Sequence, residues 1–347
     1  MNEAPRKTLI GVLSLALPFI LSAVILGSAS FGSANIGFRD SSGIILNRIF
    51  PFLDWHYPRT MELIILQIRL PRIILALLVG TGLAAGGVVF QGVFRNPMAD
   101  PYVLGVSSGA AFGVTLAMVT GAAALPLLGT GLVPASAFLG AMAATLLVLG
   151  VAGGIQDSSL ISLLLAGIAV SFLLSAGISL MMYLNREQVE SIVIWTFGSF
   201  SAAGWEQILL AGPIILAGSV LIFFFSRDLD LLSLGEDTAS TLGLHVPRTR
   251  LFLLVCATLI SAAAVMVSGI IGFVGLIVPH AVRIITGPRH KLLIPWAMFS
   301  GALFCVLSDI LARTLLEPTE IPVGIITALF GAPYFLYLLR RRSKGSS

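Results

Sequence analysis

Charge is what this sequence has least of. Asp, Glu, Lys and Arg make up 10% of its 347 residues, against the ~25% usual in a soluble globule, so a chain wrapped in water is excluded. Lysine is scarcer still, with Lys7, Lys291 and Lys344 alone. None follows a glycine, so the G-K-[ST] core of a phosphate-binding loop is missing and ATP must be hydrolysed elsewhere if it is used at all. The two cysteines, Cys256 and Cys305, sit inside apolar runs and read as small buried residues rather than a disulfide or metal pair. His56, His245, His280 and His290 show no H-x3-H spacing, so no metal site and no catalytic constellation is expected.

What is abundant is apolar length. The mean hydropathy is +1.02 with 57% hydrophobic residues, and a bilayer core of ~30 Å takes about 20 helical residues. Apolar runs near 9–29, 72–93, 103–120, 131–152, 160–183, 205–225, 251–268, 271–282, 292–313 and 322–339 predict an all-α, polytopic membrane protein of about ten helices. The 271–282 run is too short to cross without support from its neighbours. Arg6 and Lys7 ahead of Leu9–Leu26 resemble a signal peptide, but the apolar part exceeds a signal core, so an uncleaved first helix is expected.

With a cytoplasmic N-terminus, alternation puts Arg6, Lys7, Arg95, Arg227, Arg248, Arg250, Arg283, Arg289, Lys291, Arg340, Arg341, Arg342 and Lys344 inside. Arg39, Arg48, Arg59, Arg69, Arg72, Arg186 and Arg313 fall outside. That bias follows the positive-inside rule and predicts both termini in the cytoplasm of a multi-pass inner-membrane protein. Orientation accounts for the basic pI of about 9.4, and no nucleic-acid partner is needed. No linker divides the chain, so 1–347 reads as one transmembrane domain with an outer segment near 30–62 and an inner loop near 226–250. Glycines four apart, as in Gly82 and Gly86 or Gly105 and Gly109, suit close helix contacts in lipid.

Several segments stand out from this background. Arg69-Leu70-Pro71-Arg72 places two arginines at the outer mouth of a helix, where they either reach the interface or offer a socket to an acidic partner. Arg313 reaches the same side with Asp309 four residues before it, a spacing that also permits an internal ion pair. Arg95-Asn-Pro-Met-Ala-Asp-Pro101 is a tight inner turn. In the inner loop, Leu234, Ala239, Leu242 and Leu244 form an apolar stripe between Gly235 and Gly243 that needs a partner or the membrane surface. Gly105-Val-Ser-Ser-Gly109 matches a hydrolase elbow in letters only, since it opens a membrane helix.

RLPR, VFQGVFRNPMADPYVLGVSSGAAFG, WTFGSF, LGEDTASTLG, GFVGLIVPHAVR, SDILAR and EIPVGIITALFGAPYF, in that order from residue 69 onward, together resemble the FecCD-type permease family of ABC importers for iron siderophores, haem and cobalamin. The resemblance implies the type II importer fold of ten helices per subunit. It also implies a homodimer or a pair of similar halves, and two cytoplasmic ATPase subunits that supply the ATP and magnesium sites, with no cofactor on this chain. Docking of each ATPase is then expected on Leu234, Gly235, Glu236, Asp237, Ala239, Leu242, Gly243 and Leu244. A periplasmic or lipid-anchored binding protein is expected to meet Arg69, Arg72 and Arg313. The inner gate is expected near Asp157, Ser158, Ser159, Leu160 and Ile161, on a helix that lines the pathway. An ion-coupled secondary transporter is the alternative, disfavoured because the helix centres hold almost no acids.

Overall fold

The computed structural model describes residues 3–32, 34, 36–50, 52, 55–125, 131–153 and 159–343. Its elements are helices α1 (Glu3–Ser28), α2 (Phe38–Ile49), α3 (Arg59–Val93), α4 (Val106–Val119), α5 (Val133–Val151), α6 (Leu160–Leu184), α7 (Val189–Thr196) and α8 (Trp205–Phe224). Two short helices, α9 (Ser226–Ser233) and α10 (Glu236–Thr241), lead into α11 (Val246–Ser268), α12 (Val274–Thr286), α13 (His290–Thr314) and α14 (Val323–Ser343). Helices α3, α5, α6, α8, α11 and α13 are long and apolar enough to cross a bilayer. Ala16–Ser28, Val106–Val119, Val274–Thr286 and Val323–Leu338 are shorter apolar helices, which together with the six account for the ten expected spans.

Helix α3 is the hub. It packs against α8, α11, α12 and α13, and 78% of its most apolar window is buried, against 22% for α6. The sequence pattern began this helix at Arg72, but it starts at Arg59. Pro71 has no N–H to donate back along the helix, and the ladder accommodates this through a π-helical stretch at Ile64–Arg69 rather than by ending. At 1.5 Å per residue, α3 is about 52 Å long, roughly 20 Å more than the hydrocarbon core.

Small residues let the helices close up. A Cβ on Gly80 would stand 2.1 Å from the Gly301 carbonyl oxygen, and one on Gly301 would stand 2.3 Å from that of Gly80. Helices α3 and α13 therefore touch backbone to backbone. Gly82 and Gly86 meet α11, where a Cβ would come within 2.8 Å of Ile260 and 2.9 Å of Ser261. Gly109 likewise packs on Gly140 of α5. Gly105 serves a turn instead, with φ +80 at the end of a 3-10 turn over Pro101–Leu104. The hydroxyl of Ser108 reaches Ser171 of α6 at 3.1 Å, a packing contact. Cys256 and Cys305 are free and buried.

The 271–282 run is displaced to α12, because Gly269 (φ 66) and Phe273 (φ 70) hold a turn between α11 and α12. The inner loop is also shorter than 226–250, since α11 already begins at Val246.

Candidate functional site: an outer charge cluster and an inner cleft

Arg69, Arg72 and Arg313 converge, but inward. They are 4%, 7% and 4% exposed. Arg69 donates to the carbonyls of Ala29 (2.6 Å), Gly32 (3.3 Å) and Ala34. Arg72 holds Asp309 through Nε at 3.0 Å and Nη2 at 2.9 Å, and Glu320 through Nη1 at 2.8 Å. Arg313 shares Asp309 at 3.1 Å and donates to the Phe31 carbonyl at 2.9 Å. The internal ion pair that the Asp309–Arg313 spacing allowed is therefore made. Expected to meet an outer binding protein, the three are buried within this chain, and burying a cation demands a partner that the chain itself supplies. What the cluster does is tie Ala29, Phe31, Gly32 and Ala34 together with α3, α13 and Glu320 into one block. Of the arginines expected outside, Arg39, Arg48, Arg59 and Arg186 are the exposed ones.

At the other end, four of the expected coupling residues and three of the expected gate residues share one cleft. A cavity of about 960 Å³ is lined by Leu234, Gly235, Glu236 and Asp237, by Ser159, Leu160 and Ile161, and by the Arg95–Ala99 turn. The inner turn, which its sequence marked only as a turn, is thus the wall between the two. It is firmly built: Asn96 Oδ1 accepts from the Met98 N–H at 3.0 Å, Asp100 Oδ1 from the Tyr102 N–H at 2.9 Å, and the Tyr102 hydroxyl donates to the Ile271 carbonyl at 3.0 Å. Burial pushes the Asp100 carboxyl up to about 6, partly offset by the Tyr102 N–H.

Helix α10 is bracketed by Gly235 (φ 115) and Gly243 (φ 89), backbone that side chains rarely adopt. Its expected apolar stripe is divided. Ala239 is fully buried and Leu244 half-buried, while Leu234 (63%) and Leu242 (59%) are exposed beside Glu236, Asp237 and Gly243. Arg250 meets Glu236 at 3.2 Å and fixes α10 to α11. Ser159 caps α6 by accepting from the Ser162 N–H at 3.0 Å, and Ile161 in its first turn is 68% exposed. Asp157 and Ser158 lie outside the described residues.

One contact escaped sequence reasoning altogether. Asp230 of α9 accepts from the His290 backbone N–H at 2.9 Å and contacts the ring Nδ1 at 2.7 Å. The carboxylate is held below its usual range: burial would raise it, but the two bonds from His290 prevail. This fastens the segment before α10 to the first turn of α13. Sixty residues separate the pair, so no local pattern announces it.

Among the described residues, ten apolar helices with a paired-off charge cluster at one end, a cleft at the other and exposed leucines flanking a short helix there define a polytopic membrane protein. The chain belongs to the FecCD transport family, whose model matches residues 20–341. It is 39% identical over 337 residues to the hemin transport system permease protein HmuU of Yersinia pestis, covering 96% of this chain and 97% of that one. It is 43% identical over 290 residues to the cobalamin import system permease protein BtuC of Halobacterium salinarum, covering 84% and 77%. A solved structure described as an inward-facing conformation of a metal-chelate type ABC transporter superposes with a TM-score of 0.82 at 35% identity, over 95% of this chain and 99% of that one.

Proposed function

We propose that this permease carries a metal chelate such as an iron siderophore, haem or cobalamin inward, as the membrane subunit of an ATP-driven importer. It works as a pair of identical copies with two cytoplasmic ATPase subunits and an outer binding protein. Both termini lie in the cytoplasm. The observation that carries the reading is the inner cleft, which places the α10 segment and the first turn of α6 on opposite sides of one rigid turn.

A push on α10 has two ways into the bundle. Glu236–Arg250 hands it to α11, and Asp230–His290 hands it to α13. Helix α13 ends at Asp309 and Arg313 in the outer block, so one 25-residue rod connects the inner and outer ends. Movement of α10 relative to Ile161 widens or narrows the cleft. Helix α6 leaves Ile161, Leu165, Ile168, Phe172 and Tyr183 exposed, along with Ser175 and Ser179. The hydroxyls on that face suit a passage shared with the second copy better than lipid. The binding protein docks on the surface that carries Arg39, Arg48 and Arg59, and the buried arginines hold the Phe31, Gly32 and Ala34 carbonyls that precede it.

Reconstituted with its ATPase and binding protein, the permease is expected to accumulate chelate when ATP is supplied and after ion gradients are collapsed. Uptake that stops with the gradients and ignores ATP would overturn the proposal in favour of ion coupling.

A further inference from the structure

Helix α12, at 13 residues, is too short to cross a bilayer, and the turn before it lies at membrane depth. A Cβ on Gly87 of α3 would stand 1.9 Å from the Gly275 carbonyl oxygen, and Gly87 is only about 9 Å along the helix from the end of α3 at Val93. Irregular backbone at such depth is tolerated only where protein covers it or where it lines a cavity. This turn meets both conditions. The Ile271 carbonyl accepts from the Tyr102 hydroxyl at 3.0 Å. Ile270, Gly272 and Phe273 line a cavity of about 430 Å³ together with Phe197 and with Gly324, Ile325, Ala328 and Leu329 of α14. No charged side chain lines it.

Gly269 opens the turn at φ 66 and Phe273 closes it at φ 70. Glycine takes that conformation freely, whereas a bulky residue adopts it only where its surroundings hold it there. What holds Phe273 is a notch in α14. A Cβ on Gly331 would stand 2.4 Å from Phe273 Cγ and 2.5 Å from its Cβ, so only glycine admits the ring. Pro333, just beyond, has no N–H for the Leu329 carbonyl, and α14 is therefore most easily bent beside the ring. Nearer the start of α14, a Cβ on Gly324 would come within 2.1 Å of the Phe197 carbonyl oxygen and 2.8 Å of that of Ile270. The first turns of α14 are thus seated at two points, with the cavity between them.

We infer that Phe273 is a positioning residue for the passage: its ring, seated at Gly331, sets how far the first two turns of α14 stand from the α7–α8 loop. The uncharged space between them is a constriction that controls passage by its width. This rests on the transport reading for what passes; the seating of the ring stands without it.

The test uses the full-length permease with its ATPase in right-side-out vesicles, carrying Ala328→Cys as a reporter and a bulky, membrane-impermeant maleimide added outside. Native Cys256 and Cys305 are buried, and their silence in every variant checks that the fold is intact. Phe273→Ala is expected to speed labelling of the reporter on the order of tenfold, as a local opening does. Phe273→Leu, which keeps most of the bulk, should leave the rate near that of the parent. Gly331→Ala, which forces the ring out of its notch, should also speed labelling, and combining it with Phe273→Ala should add nothing further. If Phe273→Ala does not fold, Phe273→Gly removes the ring while easing the backbone, and the same opening is expected. Parent-like rates in the ringless and Gly331→Ala chains overturn the inference, and so do rates that multiply when both changes are combined. Labelling needs neither ATP nor chelate, so a failure of ATP-driven uptake with this pattern intact counts against the transport reading alone.

Discussion

The outer block and the inner cleft use the same residue types to opposite ends. Outside, three arginines and two acids are turned on one another and on backbone carbonyls, which closes the surface. At the other end, Leu234, Glu236 and Asp237 stand exposed around an open cavity, and Leu242 is exposed just past α10. A closed cluster resists rearrangement because each charge it releases is left buried and alone. An open one waits for a partner. The difference fits the proposed mechanism, in which motion enters through the open end and the closed block is the anchor.

The largest expected effect breaks the closed side. Asp309→Ala takes the carboxylate from buried Arg313 and leaves Arg72 with Glu320, at a cost of about 3–5 kcal/mol. It should abolish folded protein in the membrane, read as loss of a monodisperse peak and a lower Tm. A stable, well-folded variant would show that the cluster anchors nothing. Next, Leu234→Asp with Leu242→Asp should leave Tm nearly unchanged, as exposed substitutions do. The same pair should weaken ATPase co-purification on the order of a hundredfold, the scale of interface anchors. Retained co-purification would remove α10 from the docking face.

Smaller effects sharpen the contrast. Reversing Arg39, Arg48 and Arg59 to Glu should slow association of an acidic outer partner on the order of tenfold at low salt, with the difference fading at high salt. The same reversal at Arg69 should lower folded yield instead. If Arg69 reversal affected only partner binding, the buried and exposed arginines would have to exchange roles. Smallest is Asp100→Asn in the inner turn. Burial raises that carboxyl to about 6 from 3.8, so the stability it contributes is fullest below the ordinary value and is lost as pH climbs through 6. The amide keeps an acceptor for Tyr102 without the charge. Its Tm gain should appear at pH 7.5 and shrink toward pH 4; a gain that ignores pH would assign the shift elsewhere.

Hydropathy alone locates the ten spans, because the bilayer imposes a length and an apolar composition on each. It fails where charge interrupts a helix without ending it. Arg69 and Arg72 look like a boundary, yet α3 continues outward through them, because partners distant in the chain satisfy both: the Ala29, Gly32 and Ala34 carbonyls for Arg69, and Asp309 and Glu320 for Arg72. The Asp309–Arg313 pair was legible, being four residues apart on one helix, while Asp230–His290 was not. Helices α2 and α7 stayed hidden in polar outer segments whose order comes from packing on neighbours. For α10, the glycine borders were plain, but which leucines face out depends on how Arg250 seats the helix.

The extra length of α3 also sets a height. In the proposed orientation, with Arg95 at the inner membrane boundary, the surplus of roughly 20 Å would stand on the outside. The outer rim is then a raised landing, clear of the hydrocarbon, and a partner fastened to the same leaflet by a lipid needs slack to reach it. At ~3.3 Å per extended residue, that is a leash of at least about six residues ahead of the first folded element.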